Sequence, residues 1–229
     1  NLSVLKDNKL ILSSDIDNSI VITKDFENIQ YNELKPQKYS EIDNIFNNLY
    51  KENADLIKAH IITAIINEDF GSKHLLFIAG SSQLGKSKTS EFISRIITNT
   101  YSTIDIRNIE KLWIKFFGNR SPVLDNIDIA KNLDVNVVSD LSEIITAHKI
   151  TKNVRYTKSG ADFSCDVYPI ITTINPDLLD RSDTVTLKTR AIVINLTYNE
   201  YAKDNLNDIY NNPEIIQKAR LHFYHLAQE

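Results

Sequence analysis

The run Gly80-Ser81-Ser82-Gln83-Leu84-Gly85-Lys86-Ser87 puts two glycines, a lysine and a hydroxyl at the spacing that cradles the phosphates of a nucleotide. A glycine-rich turn lets successive backbone N–H groups converge on phosphate oxygens, and a helix beginning there adds its positive N-terminal end. Lys86 would supply a mobile charge for the β- and γ-phosphates, and Ser87 a hydroxyl ligand for Mg²⁺. Residues 80–88, Lys88 included, are therefore the expected contact segment for ATP and Mg²⁺. The chain has only five glycines, so placing two in one loop is a concentrated use of a scarce residue.

Such a loop needs an acidic group at the end of a neighbouring strand to hold the metal's shell, and Asp125, closing Pro122-Val123-Leu124, is the candidate. An aspartate followed by asparagine is also turn chemistry. Asn126 cannot take a proton, so either it orients water, or the nearby carboxylate of Asp128 serves as base, or hydrolysis is slow. Farther on, the apolar stretch Ile170-Ile171-Thr172-Thr173-Ile174 ends in Asn175, an amide placed to sense the γ-phosphate beside the strand of Asp125. Arg181 follows in Asp177-Leu178-Leu179-Asp180-Arg181-Ser182-Asp183. It could stabilise transition-state charge on the ATP of a neighbouring subunit, or form a surface ion pair with Asp180 or Asp183.

Between positions 148 and 160 lie Lys149, Lys152, Arg155 and Lys158, with Tyr156 among them and no acidic residue. Alternation of polar and apolar types before Ser159-Gly160 predicts a β-hairpin whose cations could hold single-stranded DNA phosphates while Tyr156 stacks on a base. A merely solvated hairpin is the competing reading. Other groups carry less. His222 and His225 lack the companions of a zinc site and read as helix-surface residues, and the lone Cys165 cannot form an internal disulfide and reads as a small strand residue. The acidic turn 13–19 lacks the glycine and terminal glutamate of a calcium loop.

The elements that must position these groups follow from periodicity. Residues 10–12 and 20–22 read as the arms of an N-terminal β-hairpin, and 39–67 as two helices. Strand, loop and helix are expected over 74–79, 80–87 and 88–98, with further strands at 102–106, 122–125, 168–173 and 191–196. Helices are expected near 109–117 and 140–147, and in the tail 199–229, where Pro213 marks a helix start. Alternating strands and helices imply an α/β fold with a mainly parallel sheet covered on both faces. Hydrophobic residues at 42% and charged residues at 24% are those of a globular protein. The net charge of −4 argues against a surface built to wrap duplex DNA, though it leaves room for a local basic loop. No apolar run approaches the roughly 18 residues that span a bilayer, so no membrane association and a cytoplasmic location are expected.

Taken in order, the phosphate loop, Leu124-Asp125-Asn126, the helix beginning near Ser139-Asp140, Arg155-Tyr156-Thr157, Thr172-Thr173-Ile174-Asn175 and Asp177-Leu178-Leu179-Asp180-Arg181 resemble the AAA+ ATPases of phages and mobile elements. These are primase-associated or replicative helicases, similar in layout to minichromosome maintenance and superfamily-three helicases. The resemblance covers about residues 30–200. It implies a P-loop AAA+ core at 51–200, a small β-hairpin and helical appendage at 1–50, and the start of a C-terminal helical lid at 201–229. It further implies a homo-oligomeric ring, usually of six, with ATP at each interface, the basic hairpin projecting into a pore that holds single-stranded DNA, and a primase or other replication protein as partner. Within it Lys86 and Ser87 become phosphate and Mg²⁺ contacts, Asp125 the second Mg²⁺ acid, Asn175 the sensor and Arg181 the finger acting across the interface. An ATP-dependent loader, or a nucleotide-binding module without turnover, are the other functions the motifs allow. The absence of methionine and the short helical tail lead us to expect a fragment of a longer product.

Overall fold

The computed structural model describes residues 3–6, 9–12, 36–66, 73–99, 101–104, 116, 119–127, 135–147, 149–153, 160–164 and 166–229. Its first strands, β1 (Ser3–Lys6) and β2 (Lys9–Leu12), pair antiparallel with Val4 opposite Ile11. This corrects the expected hairpin, for residues 10–12 pair with 3–6. Only two residues, Asp7-Asn8, separate these arms in the sequence. Residues 20–22 lie outside the described residues, as do Cys165 and all of 109–117 except Phe116.

Two helices, α1 (Ser40–Tyr50) and α2 (Ala54–Ile66), precede β3 (Leu75–Ala79), and α3 (Lys86–Thr98) follows it. The chain continues through β4 (Val123–Leu124), α4 (Val135–Thr146), an antiparallel hairpin of β5 (Lys149–Asn153) and β6 (Gly160–Ser164), and β7 (Ile170–Thr173). Two short 3-10 turns and α5 (Val185–Lys188) lead to β8 (Ala191–Asn195), then α6 (Glu200–Asn211) and α7 (Pro213–Leu226) close the chain.

Four strands form one parallel sheet in the order β4-β7-β3-β8, and Thr103 adds a single parallel bridge to Val123 at its β4 edge. That bridge is what the described residues show of the strand expected at 102–106. Successive side chains of a strand point to opposite faces, and β3 shows what each face meets. Leu76 and Ile78 join a core with Phe46, Ile57, Ile61, Phe92, Ile96 and Phe223 of α1, α2, α3 and α7. Leu75, Phe77 and Ala79 join a second core with Leu141, Ile144 and Leu178 beyond the other face. A strand buried on both sides must be apolar throughout, which is why Leu75-Leu76-Phe77-Ile78-Ala79 carries no alternation.

The two C-terminal helices start at asparagine caps. Asn199 accepts the N–H of Ala202, and Asn212 accepts those of Glu214 and Ile215 ahead of Pro213. On α7, Ile216, Ala219 and Phe223 turn into the core, and His222, three residues after Ala219, turns with them. The expectation of a surface His222 is thus corrected: it is buried, its Nδ1 accepts the Tyr39 N–H at 3.0 Å and its Nε2 lies 3.3 Å from Asp43 Oδ2. Among the described residues no helix is long and apolar enough to cross a membrane.

Candidate functional site

All four strands of the sheet point their carboxyl ends the same way, and the chemistry-bearing residues gather along that edge. β3 hands the chain to Gly80, which has φ +155°; a Cβ there would sit 2.8 Å from the Leu196 carbonyl oxygen. No side chain fits, because Leu196 is itself held by its N–H donating to Ala79 O at 2.8 Å. Ser81, Ser82 and Gln83 are exposed, Gln83 with φ +67°, while Leu84 packs partly into the core and anchors the loop. Gly85, at φ +81°, opens α3 where a Cβ would meet Leu206 Cδ2 at 2.6 Å. The first N–H groups of α3 have no carbonyl partner within the helix and face the loop.

Lys86 lies across its own loop, its Nζ donating to Gly80 O at 2.9 Å and to Ser81 O at 2.7 Å. Burial lowers its pKa and the nearby Asp125 partly restores it, so the ammonium sits where a second anion would be welcome. Lys88 stands on the helix surface, 3.7 Å from Glu91.

Asp125 follows β4, and here the strand order differs from expectation. β4 is not the immediate neighbour of β3, since β7 runs between them. Contact with the loop is made all the same: Ser87 Oγ donates to Asp125 Oδ1 at 2.9 Å. Thr172 Oγ1, from the intervening strand, donates to the same oxygen at 2.5 Å and accepts the Asn126 N–H at 2.9 Å. Asn126 is exposed, with φ +54°. The next residue is tied to β7 as well, Ile127 N–H donating to Thr172 O at 2.8 Å and Thr173 Oγ1 donating to Ile127 O at 2.7 Å. Tyr101 completes the surroundings; burial first, then the charges of Asp125 and Glu91, push its hydroxyl up to about 12.

Asn175 ends the β7 segment. Its N–H donates to Thr173 Oγ1 at 3.1 Å and its side-chain oxygen accepts Asp177 N–H at 3.0 Å, capping the turn Pro176–Asp180. Arg181 is paired within the chain, its Nε donating to Asp183 Oδ1 at 2.9 Å and a terminal nitrogen to Oδ2, while Lys188 pairs with Asp180. Lys149 and Lys152 are on β5, opposite Ser164 and Ala161 of β6. Asp128, Arg155, Tyr156 and Lys158 lie outside the described residues. The fold thus brings together Lys86, Ser87 and Asp125, and leaves Arg181 in an ion pair of its own.

Thr172 and Tyr101 escaped the sequence reading. A threonine within an apolar strand reads as an ordinary β-former; the available signal was the change from Ile170-Ile171 to Thr172-Thr173 just where a strand reaches its carboxyl end. Together Ser87 and Asp125 offer only hydroxyl and carboxylate oxygens, the donors of a hard divalent cation such as Mg²⁺. Among the described residues no group of three or more His, Cys, Asp or Glu could hold a metal alone, so a cation here would share its shell with phosphate and water.

No family model and no curated protein matches the sequence. Solved structures do. The chain is similar to the apo C-terminal region of NrS-1, with a TM-score of 0.62 at 18% identity over 89% of this chain and 50% of that one. It is also similar to JCV helicase, with a TM-score of 0.51 at 11% identity over 81% of this chain and 52% of that one. The fold is helicase-like. At these identities the likeness is one of fold, and the chain spans about half the length of the solved chains it matches. Within that helicase-like fold, the carboxyl edge of the sheet carries the loop, the carboxylate and the buried threonine just described.

Proposed function

We propose that this chain is the ATP-hydrolysing AAA+ core of a ring-shaped motor that acts on single-stranded DNA during replication of a phage or mobile element. The observation that carries the proposal is the Ser87–Asp125 hydrogen bond, which joins the hydroxyl at the start of α3 to a carboxylate from a strand two places away in the sheet. A structural turn has no need of that convergence, whereas a Mg²⁺-bound triphosphate requires both groups on one side of it. In this reading Lys86 gives up its loop carbonyls to phosphate oxygens, and Ser87 and Asp125 orient the metal's ligands. Mg²⁺, when bound, neutralises charge on the β- and γ-phosphates. Asn175 orients the terminal phosphate, and Asp128 is the nearest carboxylate in sequence to serve as base. Arg181 would exchange Asp183 for the ATP of an adjacent subunit, and the cations from Lys149 to Lys158 would track DNA. Residues 51–200 form the core in this proposal, with 1–50 as appendage and 201–229 as the start of a lid. Six copies, and a primase or other replication partner, complete it.

One observation favours a second reading. Asn126, the residue after the metal acid, is an amide, which fits a loader whose hydrolysis is slow and paced by a partner. One experiment addresses both. ATPase rates of the parent, of Lys86→Ala, of Arg181→Ala and of their mixture are measured with and without single-stranded DNA. A motor of the proposed kind is stimulated by DNA, is inactive as either variant, and regains activity in the mixture, where some interfaces pair an intact loop with an intact arginine. Full activity in folded Lys86→Ala sinks the nucleotide reading. A parent active but indifferent to DNA favours the loader.

A further inference from the structure

Asp125 has to present a carboxylate to a metal from just past the end of a two-residue strand that pairs with β7 on one side and is bridged to Thr103 on the other. What fixes it comes from β7. The Thr172 side chain is fully buried; its hydroxyl accepts the Asn126 N–H at 2.9 Å and donates to Asp125 Oδ1 at 2.5 Å, while its carbonyl accepts the Ile127 N–H at 2.8 Å. A hydroxyl has one proton, and the N–H already occupies its acceptor side, so that proton goes to the carboxylate. Ser87 donates to the same Oδ1 at 2.9 Å. Two hydroxyls converge on one oxygen, and among the described residues no donor reaches Oδ2. The carboxylate is therefore held by Oδ1, with Oδ2 left without a protein donor among the described residues, and the Ser87 hydroxyl, its proton directed at Asp125, keeps its lone pairs for a cation.

We infer that Thr172 is the positioning residue for the Mg²⁺ site, a hydroxyl that orients the Asp125 carboxylate and, through it, the Ser87 oxygen. The inference rests on the nucleotide-binding reading of the loop. Partners of this kind, which touch the ligand and not the metal, change metal affinity by about 10- to 100-fold when removed. Valine preserves the shape and branching of threonine without the hydroxyl, and serine preserves the hydroxyl without the methyl group.

The test is calorimetric titration of ADP into the parent, Thr172→Val, Thr172→Ser and Lys86→Ala, without metal and across a Mg²⁺ series, with urea midpoints to verify folding. Thr172→Val is expected to bind ADP without metal within about twofold of the parent, while its half-saturating Mg²⁺ concentration rises by about 10- to 100-fold. Thr172→Ser is expected to return close to the parent. If the valine variant does not fold, Thr172→Ala must show the same displaced Mg²⁺ response. An unchanged Mg²⁺ response in the hydroxyl-less variant overturns the inference, as does a serine variant no better than valine or a loss of metal-free ADP binding equal to the loss with Mg²⁺. A parent that binds ADP no better than Lys86→Ala overturns the loop reading and this inference together. A clear Lys86→Ala defect beside a silent Thr172→Val overturns the inference alone.

Discussion

Asn126 holds a backbone φ of +54°, in the left-handed region where a Cβ crowds the following carbonyl unless the side chain is absent or short and polar. Its N–H donates to Thr172 and its side chain is exposed. The asparagine is thus explained by the turn that aims Asp125, without any role for its amide in proton transfer. Asn126→Gly is expected to leave stability and Mg²⁺-dependent nucleotide binding nearly unchanged, whereas Asn126→Val should cost about 1–2 kcal/mol of unfolding free energy through the same steric conflict. Urea denaturation decides it, and a neutral valine would refute the backbone account. At this scale the sequence was most informative about types at fixed spacing. Gly80, Gly85, Lys86 and Ser87 declare their chemistry because each defined position excludes most residue types. Thr172 does not, because its partner is 47 residues away in sequence and no neighbour in the chain marks its hydroxyl as the donor to a distant carboxylate.

The element that carries the loop, α3, is fastened at both ends and along its side. Its C-terminus stops at Asn99, φ +65°, and meets Arg220 of α7, which is buried and donates to Ile96 O at 3.2 Å, Arg95 O at 2.7 Å and Asn99 Oδ1 at 2.8 Å. A cation on the last carbonyls of a helix satisfies otherwise unpaired acceptors and complements the dipole. Nearer the loop, Thr89 Oγ1 shares a hydrogen bond with the Tyr210 hydroxyl at 3.0 Å, and Tyr210 with Tyr50 at 3.2 Å, joining α3 to α6 and α1. Arg220→Met should strip the charged donor from the Ile96 and Arg95 carbonyls, Arg95 keeping its Asn99 N–H, and cost about 3 kcal/mol, the upper range for bonds to a charged group. ADP affinity should change by less than about threefold, since the hydrogen bonds that Arg220 makes sit at the end of α3 remote from Lys86. A urea midpoint equal to the parent's would show that the arginine is replaceable by packing alone. The helices themselves were legible, since 3.6-residue periodicity reports which face of a helix is apolar. Periodicity is silent on strand order, so the insertion of β7 between β3 and β4 had to come from the fold. It also gave no warning that Arg220 and His222, polar residues on a helix, would turn inward.

Across the whole molecule the two cores on either face of the sheet account for the continuous apolar strands, yet the larger one encloses titratable groups. His60 of α2 is fully buried against His74 and Tyr168, with ring centroids 5.1 and 6.4 Å away, and among the described residues neither of its ring nitrogens has a hydrogen-bond partner. Burial lowers the pKa of His60 well below the ordinary value, and the adjacent His74 adds to that; burial lowers His74 as well. His222 is lowered by its burial too, against the opposing pull of Asp43. All three are therefore neutral in the fold near neutral pH. In the unfolded chain they titrate near the ordinary histidine value of about 6.5. Above that value neither state binds the protons and the histidines make stability independent of pH. As pH falls below it the unfolded chain takes up protons that the fold refuses, so stability declines. Carboxylates, with ordinary values of about 4, stay ionised until the solution is much more acidic. The urea midpoint is accordingly expected to fall on moving from about pH 7.5 to about pH 5.5, and His60→Phe, which removes one titrating group while filling its space, should flatten that fall. Equal midpoints at the two pH values, or an unaltered slope in His60→Phe, would mean that the imidazoles reach solvent or a partner on protonation and that this core opens more readily than its packing implies.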